Sequence, residues 1–180
     1  MTIFWRSCSF AFLAVWSNLV DSVEDNTWYM TSNNFHTSVQ LILQASLAGT
    51  PHNEAVLSLG NTPTYLLEIG FPSLELQIKA SVIDKAHFDH GVSKGILQRL
   101  GDVLNSPKAL YKSATVINTA VVVTLEQKNG NPLLVPIHPD KQVGRYRVNV
   151  ISSIYSKDNW NEVEPQWVEK GLLLWKRNIP

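Results

Sequence analysis

The chain is short of most things that identify a function at sight. It has one cysteine, Cys8, in 180 residues, which excludes a disulfide framework and a thiolate metal cluster. There is no CxxC pair and no HExxH; the five histidines are scattered, and only His87 and His90 stand three apart. We therefore expect no metal site and no cofactor. No apolar run reaches the about 20 residues that a membrane helix needs. The longest, Ile3–Trp16, carries Arg6 and is not followed by a small-x-small cleavage site, so it reads as a packed N-terminal element and not as a targeting segment. No membrane partner is expected. Net charge is zero, so the molecule as a whole does not attract polyanions.

What is present is unevenly placed. Up to Ile78 there is one cation, Arg6, against six carboxylates; between Lys79 and Lys157 there are eleven cations against five. A basic middle beside an acidic leading part fits a polyanion-binding core with an acidic neighbour, and equally fits chance clustering. Hydrophobic residues make up 44%, enough for one ordinary domain with an appendage.

Periodicity divides the chain. Gly49–Leu59 gathers glycine, proline and polar residues and reads as a boundary, giving an appendage of unknown role over 1–58 and a domain over 59–180. Asn61-Thr62-Pro63 has the form of a helix start, with Thr62 as cap. Leu74, Leu76 and Ile78 alternate as a short strand. Ser81–Leu104 is helical in pattern and interrupted at Gly91; Ser93 can cap its second piece, whose Ile96, Leu97, Leu100, Val103 and Leu104 share a face. From Thr115 the pattern becomes strand-like. Asn129-Gly130 is a hairpin signal, Pro136 marks an edge or bulge, and Arg145–Tyr155 is the next strand. Helices first and an antiparallel sheet after them make an α+β fold.

The stretch Val135–Lys157 combines apolar alternation with cations and hydroxyls. If no bulge intervenes, Ser153, Tyr155 and Lys157 share one strand face with Arg145, Arg147 and Asn149, while Ser152, Ile154 and Ser156 share the other. A basic, hydroxyl-rich edge on a rigid sheet suits chemistry on a phosphodiester, and it is also the look of a solvated strand.

Six pieces recur in a fixed order: Leu59-Gly60-x-Thr62-Pro63, Asp89-His90-Gly91-Val92, Leu100-x-x-x-Leu104-Asn105-Ser106-Pro107, a hairpin ending Pro136-Ile137-His138, Val148–Lys157, and Trp167-Val168-Glu169-Lys170-Gly171-Leu172-Leu173. In these the chain resembles the phage Barnase–EndoU–colicin–RelE-like (PBECR) nuclease domains, which occur at the C-termini of phage MuF-type head proteins and of polymorphic toxins. The resemblance covers about two thirds of the chain, Leu59 to Arg177. It implies N-terminal helices packed on an antiparallel sheet of about four strands, as in Barnase and RelE. It further implies metal-independent cleavage of RNA and a cognate immunity or antitoxin protein. A localisation is not given; a ribonuclease of this kind acts in a cytoplasm, its own or that of a cell into which it is delivered.

Metal-free RNA cleavage uses the substrate's 2′-hydroxyl as nucleophile. It needs a base, an acid for the leaving 5′-oxygen, and donors on the phosphorane oxygens. Histidine is the side chain suited to acid or base work near neutral pH, which makes His90 a candidate. The candidate catalytic set is His90, Ser153, Tyr155, Lys157 and His138; the candidate substrate-binding set is Lys141, Arg145, Arg147 and Ser152. Each has a plain structural reading too: His90 as a residue at a helix break, His138 as a strand end, the arginines as solvated charges. Two other readings share the composition, an RNA-binding module that does not cut and a phage-head domain without catalysis.

Overall fold

The computed structural model describes residues 23–24, 27–30 and 35–177. The apolar stretch Ile3–Trp16, with Cys8, lies outside them. In chain order the elements are β1 (Val23–Glu24), β2 (Thr27–Met30), α1 (Phe35–Leu47), β3 (Val56–Asn61), α2 (Thr64–Glu68), β4 (Glu75–Lys79) and α3 (Ala80–Phe88). They continue with α4 (Lys94–Gln98), α5 (Leu100–Asn105), β5 (Pro107–Lys112), β6 (Ala120–Lys128), β7 (Asn131–Val143), β8 (Tyr146–Ile151), β9 (Tyr155–Ser156), α6 (Trp160–Glu169) and β10 (Leu173–Lys176).

All ten strands belong to one sheet, in the order β1-β2-β3-β4-β8-β7-β6-β5-β10, with β9 paired to β7. The β2/β3 and β4/β8 pairs are parallel and the others antiparallel. This overturns the expected fold of N-terminal helices on an antiparallel sheet of about four strands. The physical reason is β3 and β4. β3 falls in the stretch read as a boundary, yet Val56 and Leu57 are buried strand residues; β4, expected as a short strand, pairs with β3 and docks parallel alongside β8, more than seventy residues later, so both join the one sheet. A helix, α6, and a last strand, β10, follow the other sheet strands.

The sheet is covered on both faces. In β6 the run Ala120-Val121-Val122-Val123 is buried throughout, as both-sided burial requires. Ala120 and Val122 enter the large core with Leu133, Val135 and Ile137 of β7; Val121 and Val123 enter a second cluster with Leu134, Tyr111 and Trp160. The large core is closed by α1 to α5. In α1, Val39, Ile42 and Leu43 recur at helical spacing and are buried, so the helix docks one stripe on the sheet. Thus α1, which a boundary at 58/59 would give to an appendage, and β3, which it would cut, share the core with the rest. The second cluster is aromatic: Tyr111, Trp160 and Trp167 meet edge to face, Trp160 and Trp167 with centroids 5.4 Å apart. Tyr111 donates to Glu164 at 2.9 Å, tying α6 to β5.

The β6–β7 hairpin turns at Asn129-Gly130, both at positive φ, with Lys128 opposite Asn131. The Asn-Gly signal locates that turn correctly. Ser93 does cap α4, accepting from Ile96 N. Thr62 is not a cap: α2 begins beyond Pro63, and the Thr62 hydroxyl donates to the Leu74 carbonyl at 2.6 Å. No helix among the described residues is long and apolar enough to cross a membrane.

Candidate active site

Three chain segments meet at one corner of the sheet: the turn after α3, the tip of the β6–β7 hairpin, and β9. The turn is a tight helix ending. His90 N and Gly91 N return to the Lys85 and His87 carbonyls at 3.0 and 3.1 Å, and Val92 N reaches the Ala86 carbonyl at 2.9 Å. Gly91 has φ +61°, the left-handed conformation that such an ending needs. Val92 is buried beneath it, and His87 Nδ1 lies 2.8 Å from the Val92 carbonyl. His87 is thereby used in holding the turn, while His90, beyond the helix end, projects from it.

The His90 ring lies beside Tyr155, with centroids 6.1 Å apart and planes tilted by 55°. Tyr155 comes from β9, opposite Leu134 of β7, and its ring packs at the margin of the Trp160 cluster. Burial pushes the Tyr155 phenol above its ordinary value, so the hydroxyl keeps its proton at neutral pH. Neither ring makes a hydrogen bond within the described residues. From the hairpin tip, the half-buried Lys128 donates its Nζ to the His90 carbonyl. Two residues separated widely in sequence, His90 and Tyr155, are thus brought together with their polar edges unused. Ser153 is half-buried between β8 and β9, and Lys157 is exposed one residue beyond β9; both flank Tyr155 in the chain.

The other expected residues lie elsewhere. Strand alternation does not run unbroken from Arg145 to Lys157. Ile151 and Ile154, three residues apart, both enter the helix-side core, so the chain bulges across 152–154. Arg147 and Asn149 share the face of Ile151, and Tyr155 lies on the opposite one; the single face expected for Arg145, Arg147, Ser153, Tyr155 and Lys157 is not formed. Arg147 is held by Asp140 through both guanidinium and carboxylate ends, its Nε donating at 2.6 Å to Oδ1. Arg145 and Lys141 are exposed. The Ser152 hydroxyl donates to the Pro136 carbonyl at 3.3 Å and helps pin the bulge. His138 pairs with Val150 and is four residues along β7 from Leu134, about 13 Å at strand rise. Its Nδ1 lies 2.7 Å from the Thr119 hydroxyl, and burial, then the Lys141 charge, lower its pKa.

Lys128 escapes a reading of the sequence; its only signal is its place immediately before Asn129-Gly130. Asn149, expected on the polar strand face, is instead fully buried; it donates to Thr62 Oγ1 at 2.7 Å and to the Pro72 carbonyl at 2.9 Å and accepts from Asp140 N at 3.0 Å. It joins β8 to the loops on either side of α2 and to the β7 bulge. Among the described residues no three of His, Cys, Asp and Glu form a group that could hold a metal ion.

The family model of the phage MuF-C-terminal domain matches residues 81–179, a span that contains His90, Lys128 and Tyr155. No curated protein and no solved structure matches the chain significantly. The match covers more than half of the chain, from α3 through β10, and it supports a phage-associated domain without specifying an activity. The chain belongs to the phage MuF C-terminal domain family.

Proposed function

We propose that this domain is a ribonuclease of the PBECR type that cleaves RNA by attack of the substrate's own 2′-hydroxyl, with His90 and Tyr155 at its centre. The observation that carries the reading is the approach of the two rings, 6.1 Å between centroids, from the helical half and the sheet half of the chain. Catalytic groups must reach one phosphodiester together at hydrogen-bond distance.

In this reading the His90 imidazole takes the proton from the 2′-oxygen as that oxygen bonds to phosphorus. Negative charge gathers on the phosphorane oxygens. The bond to the 5′-oxygen then breaks, and the departing oxygen takes a proton from the Tyr155 hydroxyl, which burial keeps in its O–H form. The products are a 2′,3′-cyclic phosphate and a free 5′-hydroxyl. In this reading Ser153 and Lys157, which flank Tyr155 in the chain, add a donor and a charge near the phosphate. Lys141, Arg145 and His138 belong in this account to the approach of the nucleic acid and not to the chemical step. A nuclease of this kind also calls for a protein that covers the corner, in the manner of a cognate immunity or antitoxin protein.

The test is cleavage of total RNA in excess EDTA by the wild-type protein and by His90→Ala, beside a binding measurement at several salt concentrations. Cleavage by the wild type, with a rate that rises through the histidine pH range, supports the reading. Salt-dependent binding without cleavage identifies an RNA-binding module. Neither binding nor cleavage leaves a phage-head domain without catalysis.

A further inference from the structure

We infer that Lys128 is the positioning residue of the corner: its ammonium holds the His90 carbonyl and thereby aims the His90 ring at Tyr155. The catalytic consequence rests on the ribonuclease reading above, but the geometric one does not.

The turn after α3 is fixed by its own backbone only in part. Its N–H groups at His90, Gly91 and Val92 all return to α3. The His90 carbonyl lies past the helix end, where carbonyls have no partner within the helix. The Lys128 ammonium, from 38 residues further along the chain, supplies that partner, and a cation is the favourable group at a helix C-terminus. The lysine is itself well placed. It is the last residue of β6 before a two-residue turn whose residues, Asn129 and Gly130, both hold positive φ, so the strand delivers its backbone to a defined point.

Gly91 offers a second way to disturb the same contact. A Cβ there would stand 2.9 Å from the Lys128 Nζ and 3.2 Å from its Cε, so the lysine end would have to shift. Glycine suits this position by its φ of +61°, and a methyl added there would in addition push the flexible end of Lys128 aside. Gly171 has nearly the same φ, +65°, with no atom within 4 Å of its virtual Cβ. It supplies a control in which the backbone strain is present and no lysine is displaced.

The experiment compares Lys128→Met, Gly91→Ala, the double variant and Gly171→Ala, at a temperature where circular dichroism shows all of them folded. Two readouts are taken: the nuclear Overhauser effect between the ring protons of His90 and Tyr155, and kcat and KM for a short RNA. Lys128→Met and Gly91→Ala should each weaken the ring-to-ring effect and lower kcat by up to about a hundredfold, the cost of a misplacement on the order of 1 Å. KM and the salt dependence of binding should stay unchanged. The double variant should be no worse than the poorer single one, since both act through the same contact, and Gly171→Ala should match the wild type in both readouts. An unchanged ring-to-ring effect and kcat in Lys128→Met would overturn the inference. So would a raised KM and a reduced salt slope with kcat intact, which would make Lys128 a phosphate contact. If the wild type does not cleave RNA at all, the ribonuclease reading fails, while the ring-to-ring effect still decides the role of Lys128.

Discussion

The two ends of the β7–β8–β9 ribbon carry similar polar residues and use them differently. At the Arg147 end the polar groups pair with one another. Arg147 grips Asp140, Asn149 ties Thr62, Pro72 and Asp140 together, and His138 meets Thr119. At the Tyr155 end the His90 and Tyr155 rings face each other with no hydrogen bond to either within the described residues. Hydrogen-bonding capacity that is satisfied internally stabilises a fold; capacity left open beside a half-buried aromatic is available to a ligand. The residue types alone would have ranked the first end higher, because it holds both arginines.

The expected separation is strongest in turnover. His90→Ala should lower RNA cleavage by about 10²–10⁴-fold with the fold unchanged, as removal of a general base does, whereas His138→Ala should leave turnover within a few-fold. Equal losses for the two histidines in single-turnover assays would erase the distinction between the ends.

The opposite asymmetry is expected in stability. Asn149→Ala leaves the Thr62 hydroxyl, the Pro72 carbonyl and the Asp140 amide short of a partner at a buried site. A cost of about 2–3 kcal/mol follows if one or two of them stay unsatisfied. Urea unfolding should show it as a lower midpoint at constant slope; a midpoint equal to that of the wild type would mean that water replaces the asparagine.

The sequence makes part of this legible. Asn129-Gly130 locates the hairpin, Ser93 the start of α4, and the break at Gly91 the turn that carries His90. These are local signals, each set by a few adjacent residues. What the sequence does not show depends on distant partners. Val56-Leu57 reads as the margin of a polar linker until β4 lies beside it, and the parallel β4/β8 pairing has no turn to announce it. The bulge at 152–154 reverses the faces of a ribbon whose apolar alternation looks continuous. Lys128 is one cation among eleven in the basic middle until the hairpin brings it to the His90 carbonyl.

A smaller effect concerns acid. The folded His138 takes up a proton less readily than the unfolded one, because burial and then Lys141 lower its pKa. Stability is therefore full above the ordinary histidine value, about 6.5, and falls as pH drops below it, until the folded ring also titrates. His138→Gln should flatten the melting temperature between pH 7 and pH 5; a slope identical to that of the wild type would assign the acid sensitivity to other groups.

The smallest effect is expected at Arg147. Its pair with Asp140 is solvent-exposed, and exposed pairs contribute little. Arg147→Ala should shift neither the melting temperature nor the affinity for RNA measurably. A clear loss of RNA affinity would return the arginine end to the binding surface.

The most direct test of the central claim is the chemistry of the cut ends. A 5′-labelled RNA is incubated with the wild-type domain in excess EDTA, and the products are resolved by mass. Attack by the 2′-hydroxyl at the His90–Tyr155 corner predicts 2′,3′-cyclic phosphate ends with free 5′-hydroxyls, abolished in His90→Ala. Intact RNA, or 5′-phosphate ends formed only when a divalent metal is restored, would contradict it.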